Sequence, residues 1–321
     1  MQIAVMGAGV MGQRIAAHFL RAGFAVSVLD PSRDSLDRAM SFLDNSGIRR
    51  DHACFALAPE DLGSDWRNCA LLIESVPENL AIKHAALAAA ERFFGHETLI
   101  ASNTSGLTTA ELAAGMRRPE RLAIAHFFNP ADVIPVVELI AGPGMSETRL
   151  QEIAAILERS GKLPAILRRE MPGFVANRIQ HAMMRECLYL LQENVADAET
   201  LDSILRWSIG ARMAFFGPFL QRDLNGLDTH AAIAGYLYPQ LSNADAPADA
   251  LRRHVAAGET GRKAGRGFYI WDQPREDAVR TAEADLAALI AAMIAKERTT
   301  SPPATGSGTE ETQDARLEDR A

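Results

Sequence analysis

His126 ends an apolar, β-branched run, LAIAHFF, and Glu138 follows twelve residues later inside a second one, VVELI. An imidazole titrates near neutral pH, so it can take the hydroxyl proton of a secondary alcohol as hydride leaves the carbon. A carboxylate on the far ring nitrogen fixes the tautomer and stabilises the imidazolium that forms. These residue types therefore permit a general base with an orienting acid. A histidine at a strand end is also commonly a satisfied core residue, and the two residues alone leave both readings open.

A second set of residues points to a ligand. MQIAVMGAGVMGQRIAAHFLRAGFAVSVLD joins a strand-like run to Gly7, Gly9 and Gly12, then a helix-period stretch, a Gly23 stop and a second strand ending in Asp30. In such an arrangement Gly7 makes the tight turn, Gly9 lets backbone approach a pyrophosphate, and Gly12 allows close helix–strand packing. The helix start at Val10 and Met11 supplies the anion site. Asp30, eighteen residues after Gly12, is placed to accept hydrogen bonds from an adenosine ribose and to repel a 2′-phosphate, which selects NAD over NADP. Arg33 could accommodate that phosphate; a solvated arginine is the plainer reading.

These groups need elements to hold them. Across residues 2–170, short apolar runs (IAVMG, FAVSVLD, ALLIESV, TLIASN, LAIAHFF, VVELI) alternate with Ala/Leu/Glu/Arg-rich stretches of helical period. That alternation predicts an α/β fold with a mostly parallel, doubly wound sheet. From Pro172 the strand signal stops, and FVANRIQHAMMRECLYLLQEN, AETLDSILRWSI and GPFLQRDLNGLDTHAAIAGYL read as helices. The expected organisation is a dinucleotide-binding domain over 1–170, an all-α domain over 171–296 and a disordered Ser/Thr/Pro/Gly-rich tail over 297–321.

Composition limits the partners. A chain of 321 residues with 48% hydrophobic content can bury two ordinary cores, and a formal net charge of −8 with mixed signs offers no basic face for nucleic acid or an anionic membrane. Cys54, Cys69 and Cys187 form no CxxC pair and no histidine stands at metal-ligand spacing, so neither a disulfide framework nor a metal site is expected. No apolar segment approaches the ~20 residues of a membrane span. A cytoplasmic protein with a small-molecule substrate is the expectation.

Further motifs extend the pattern: ESVPENLAIK (74–83), SNTSGL (102–107), HFFNP (126–130), PGFVANR (172–178), FGPFLQRDLNGLDT and KAGRGFY (263–269). With GAGVMG, these resemble the 3-hydroxyacyl-CoA dehydrogenase family in order and approximate spacing over about residues 2–272. The resemblance implies that His126 is the catalytic base and Glu138 its paired acid. It further implies that Ser105 bonds the reacting oxygen, that Asn177 reaches across from the helical domain, and that Asn103 lies beside the nicotinamide. Glu78 and Lys83 match positions near the nicotinamide ribose, and Asn129 helps position the His126 segment. A homodimer built through the helical domains, and a place in fatty acid metabolism, follow from the same resemblance.

Two departures bear on the substrate. The stretch from Asp30 to Leu71 looks shortened where acyl-CoA enzymes carry a longer helical excursion, leaving Arg38, Arg49 and Arg50 as the nearest cations for CoA phosphates. RMAFFGP (212–218) resembles the branch containing gulonate 3-dehydrogenase, lambda-crystallin and carnitine dehydrogenase, in which Arg212 could pair a free carboxylate. The leading expectation is an NAD-dependent L-3-hydroxyacyl-CoA dehydrogenase. The alternative is an NAD-dependent dehydrogenase of a small carboxylate-bearing alcohol.

Overall fold

The structure is a computed structural model and describes residues 1–300, side chains included up to residue 296. The strands β1 (Gln2–Met6), β2 (Ala25–Leu29), β3 (Ala53–Ala56), β4 (Leu71–Glu74), β5 (Leu99–Ser102), β6 (Leu122–Phe127), β7 (Val136–Ala141) and β8 (Leu163–Ile166) form one sheet. Its order is β3-β2-β1-β4-β5-β6-β7-β8. Neighbours run parallel except β6 and β7, which are antiparallel.

The mostly parallel sheet is as expected, with two strands added that carry weak sequence signals. β3 is the four residues ACFA, and β8 is LPAI, whose Pro164 cannot donate to a ladder and is tolerated at the sheet edge. β4, β5 and β6 are buried along their whole lengths, which is why they read as unbroken apolar runs.

Helices cover both faces. α1 (Val10–Arg21), α2 (Arg33–Asn45) and, further along the chain, the helix Glu147–Ser160 contribute Ile15, Phe19, Leu36, Ile153 and Leu157 to a core on one face. On the other face α3 (Leu80–Phe93) and α4 (Thr109–Ala113) bury Leu87, Ala90, Phe93 and Leu112. We call Glu147–Ser160 α5. Side chains stop the orphan amides at most of these helix starts: Ser32 accepts from Ser35, Asn79 from Ile82, Thr108 from Glu111 and Ser146 from Arg149. The exception is α1, whose N-cap is Gly9 with no capping side chain. Its first amides stay open to a ligand.

Beyond β8 the chain is helical, as the sequence predicts: α6 (Ala176–Gln192), α7 (Ala198–Ile204), a π-helical stretch (Leu205–Gly210), α8 (Ala211–Met213), α9 (Pro218–Asn225), α10 (Leu227–Leu237), α11 (Asp249–Ala256) and α12 (Gln273–Thr300). No side chain of α7 to α10 is buried. By contacts, Met1–Asp277 is one compact unit and a second begins at Ala278. The expected tail falls outside the described residues from 301 on; at 297–300 the backbone is helical. No helix among the described residues is long and apolar enough to cross a membrane.

Candidate active site

The strand order reverses between β1 and β4, and in open α/β sheets ligands bind outside the carboxyl ends of strands at such a reversal. A cleft of about 950 Å³ opens there. Its walls include Gly9, Val10, Met11 and Asp30 at one end and Ser105, His126, Asn129 and Asn177 at the other.

The cofactor end is built from close backbone packing. Gly7 has φ +101°, and a Cβ on it would stand 2.4 Å from the Ser75 carbonyl oxygen. A Cβ on Gly12 would meet the Gly7 carbonyl oxygen at 1.7 Å, so α1 can lie this close to the β1 turn only with glycine there. A Cβ on Gly9 would meet nothing within 4 Å. The space over Gly9, the uncapped amides of α1 and the Asp30 carboxylate fit the pyrophosphate and ribose of a dinucleotide. Asp30 Oδ2 accepts from the Ala8 amide at 2.8 Å and Oδ1 from the Ser32 amide at 2.9 Å. Each oxygen keeps a lone pair for a ribose hydroxyl. Arg33 does not line the cleft.

The chemical end rests on the antiparallel pair. Residues 128–135 are too short for a crossover, so β7 turns back on β6 and the register sets His126 directly opposite Glu138. His126 Nδ1 and Glu138 Oε2 are 2.8 Å apart, with both side chains buried. An ionised carboxylate can only accept, so Nδ1 carries the hydrogen and Nε2 is left as the ring's free polar atom on the cleft. Glu138 Oε1 accepts from the Val175 and Ala176 amides, each at 3.0 Å, and so caps the start of α6. Phe128 and Phe174 flank the imidazole with ring centroids at 4.6 and 5.3 Å. His126 thus has a buried carboxylate as its partner, and its ring borders the cleft.

Around this pair the other expected residues divide. Asn103 accepts from the Phe127 amide at 2.9 Å through Oδ1 and donates to Ser75 Oγ at 3.2 Å, tying β5 to β6. Asn177 Nδ2 donates to the Ser105 carbonyl at 3.3 Å, which brings α6 against the SNTSGL loop. Glu78 lines the cleft and gathers that loop, accepting from Thr104 Oγ1 at 2.5 Å and from the Ser105 and Gly106 amides at 3.1 and 3.2 Å. Burial pushes the Glu78 carboxyl up, but the Thr104 hydroxyl, the Lys83 charge and the Ser105 amide together hold it below the ordinary carboxylate value.

Two expectations need correction. Lys83 does not reach the cleft: fully buried, its Nζ donates to Glu74 Oε1 and Oε2 at 2.9 and 3.1 Å, because a buried ammonium needs a counter-charge. It touches the cleft wall from behind, at Glu78 Oε2 and the Val76 carbonyl, each at 3.4 Å. Arg212 is exposed on α8, bonded through Nε to the Ser208 carbonyl at 2.9 Å, and does not line the cleft of its own chain. Wall residues that the sequence reading did not anticipate include Ser75, Phe128 and Gln180. Gln180 stands three residues after Asn177, a spacing that shares a helix face and could have flagged it.

Both halves of the chain match known family models: the 3-hydroxyacyl-CoA dehydrogenase NAD binding domain over residues 2–171 and its C-terminal domain over 173–271. A 5-formyl-3-hydroxy-2-methylpyridine 4-carboxylate 5-dehydrogenase of Mesorhizobium japonicum is 32% identical over 291 residues, covering 88% of this chain and 94% of that protein. A crystal structure of an enzyme of the same name, described as an NAD⁺-dependent dismutase, superposes with TM-score 0.81 at 31% identity, over 90% of this chain and 96% of the other. The (S)-3-hydroxybutyryl-CoA dehydrogenase of Ralstonia eutropha superposes with TM-score 0.67 at 31% identity, over 85% and 99%. With a dinucleotide turn and a Glu138-backed His126 on one cleft, the chain belongs to the 3-hydroxyacyl-CoA dehydrogenase family and is an NAD-dependent oxidoreductase acting on CH–OH groups.

Proposed function

We propose that the protein oxidises a small secondary or primary alcohol bearing a free carboxylate, or reduces the corresponding carbonyl compound, with His126 as general base and Glu138 as its orienting acid. The observation that carries the chemistry is the single cleft running from Gly9 and Asp30 to His126. NAD, when bound, supplies the hydride acceptor. The chain's part is to take the hydroxyl proton on His126 Nε2 while Nδ1–H donates to Glu138. The α6 amides hold that carboxylate in place. The Ser105 hydroxyl and the Asn177 amide flank the position of the reacting oxygen.

The substrate class rests on two supports. The structural likeness to the pyridine-carboxylate dehydrogenase is higher than that to the hydroxybutyryl-CoA enzyme at equal identity. The cations of the shortened segment, Arg38, Arg49 and Arg50, also do not line the cleft. A 3-hydroxyacyl-CoA substrate is the second reading, favoured by the HFFNP, SNTSGL and GLDT segments. Because Arg212 lies outside its own cleft, carboxylate recognition within the chain falls to the Asn129 and Gln180 amides of the cleft wall. We further propose that α7 to α10 pack on a second copy, since Trp207, Phe219 and Tyr236 are 73%, 86% and 67% exposed.

NADH oxidation against a panel of keto- and formyl-carboxylates and acetoacetyl-CoA tests the reading. Turnover of a free acid, with none of any 3-oxoacyl-CoA, is expected; the reverse pattern installs the thioester reading.

A further inference from the structure

We propose that Lys162 is a positioning residue for this reaction: its buried ammonium clamps the loop that joins the His126 strand to the Glu138 strand. The proposal rests on the dehydrogenase reading of the cleft, and its structural half can be tested without it.

Lys162 lies between Gly161, the left-handed C-cap of α5, and β8. It is 2% exposed. Its Nζ donates to the Ala131 and Ile134 carbonyls, both at 2.6 Å, and stands 6.0 Å from the centroid of the Phe127 ring. Both carbonyls belong to residues 128–135, the turn that sets His126 opposite Glu138. The same turn sends Phe128 and Asn129 into the cleft wall.

An ammonium is costly to bury, and this one has no carboxylate within bonding distance among the described residues. Burial lowers its pKa to about 8, with only Asp132 acting the other way. A lysine kept there is explained by what it holds. Carbonyls three residues apart are pinned by one rotatable, charged donor that an apolar side chain cannot replace.

The loop is held a second time through Asp132. Asp132 Oδ1 accepts from Arg14 at 2.7 Å and Oδ2 from Arg21 at 3.0 Å. Both arginines lie on α1, the helix whose N-terminus forms the cofactor end. Lys162, just before β8, and the arginines from α1 therefore fix one loop between cofactor helix and catalytic strands. Misplacing reacting groups by about an ångström can cost ~100-fold in rate, so such a clamp acts on catalysis without touching substrate.

The test compares Lys162→Met and Asp132→Asn with the unaltered protein by amide hydrogen exchange of the segment 127–136, NADH fluorescence titration and steady-state kinetics. For Lys162→Met we expect exchange in that segment to rise at least about tenfold, with the rest of the sheet unchanged and the NADH Kd within about twofold. We also expect kcat/KM for the carbonyl substrate to fall by at least about tenfold. Asp132→Asn should shift the same segment by less. Unchanged exchange in 127–136, exchange that rises across the whole sheet, or NADH affinity falling in step with activity would each overturn the clamp. If Lys162→Met does not fold, Asp132→Asn decides by the same readouts. Absence of turnover by the unaltered protein counts against the dehydrogenase reading, while the exchange data still decide the loop.

Discussion

At the scale of residues, the two oxygens of Glu138 have separate tasks. Oε2 holds His126 Nδ1 and Oε1 caps α6 through the Val175 and Ala176 amides. Glutamine can still offer one oxygen to the amides but cannot serve as an ionised acceptor for Nδ1–H. Glu138→Gln should therefore lower kcat with a small stability change, whereas Glu138→Ala should also destabilise by about 1–3 kcal/mol from the unsatisfied buried amides. Paired kinetics and urea unfolding separate the two. His126→Ala should lose at least ~100-fold in kcat with NADH affinity unchanged, since the base is removed and the cofactor end is left intact. A folded His126→Ala protein with near-normal turnover would remove the base from the mechanism.

At the scale of elements, α1 binds its ligand and the sheet with different glycines. Gly12 faces the Gly7 carbonyl, where an added Cβ has no room, whereas Gly9 faces open space. Gly12→Ala should push α1 off β1, lowering both thermal stability and NADH affinity. Gly9→Ala should fold with an unchanged melting temperature yet bind NADH at least about tenfold more weakly, because the methyl group occupies the approach of the pyrophosphate. Calorimetry and a fluorescence titration on both variants check the contrast. Asp30→Ala should weaken NADH binding and narrow the preference against NADPH, read in the same titration.

At the scale of the whole molecule, charge and exposed surface set the conditions under which the protein holds together. Burial, together with the positive charge of Lys162, lowers the His18 pKa from 6.5 to about 3. The folded protein thus keeps this ring neutral where the unfolded chain protonates it, so stability is lost as pH falls below 6.5 and continues to be lost toward 3. The loss should reach about 2 kcal/mol by pH 5. His18→Gln, which can keep a hydrogen bond to Ser160, should flatten that limb in urea unfolding measured from pH 7 to 4.5. The exposed aromatic residues of the helical segments predict a dimer. Sedimentation equilibrium should find one, and Trp207→Glu combined with Phe219→Glu should shift it to monomer.

The sequence by itself determined the parts whose signals are local. Gly7, Gly9, Gly12 and Asp30 announce the dinucleotide turn because its backbone conformation and close packing tolerate few alternatives. Unbroken apolar runs announce strands buried on both faces. β3 and β8 stayed hidden because four-residue edge strands carry no such run, and Lys83 misled because an ammonium's position depends on a counter-charge, here Glu74, nine residues away in the chain. The family resemblance implied that Glu138 pairs with His126; the tertiary structure supplies the physical reason, an antiparallel register fixed by the 128–135 loop. Only the tertiary structure could show that Arg212 lies away from its own cleft and that Gln180 lies within it. Side-chain identity fixes what a group can do; which groups share a cleft is set by packing between segments far apart in the chain.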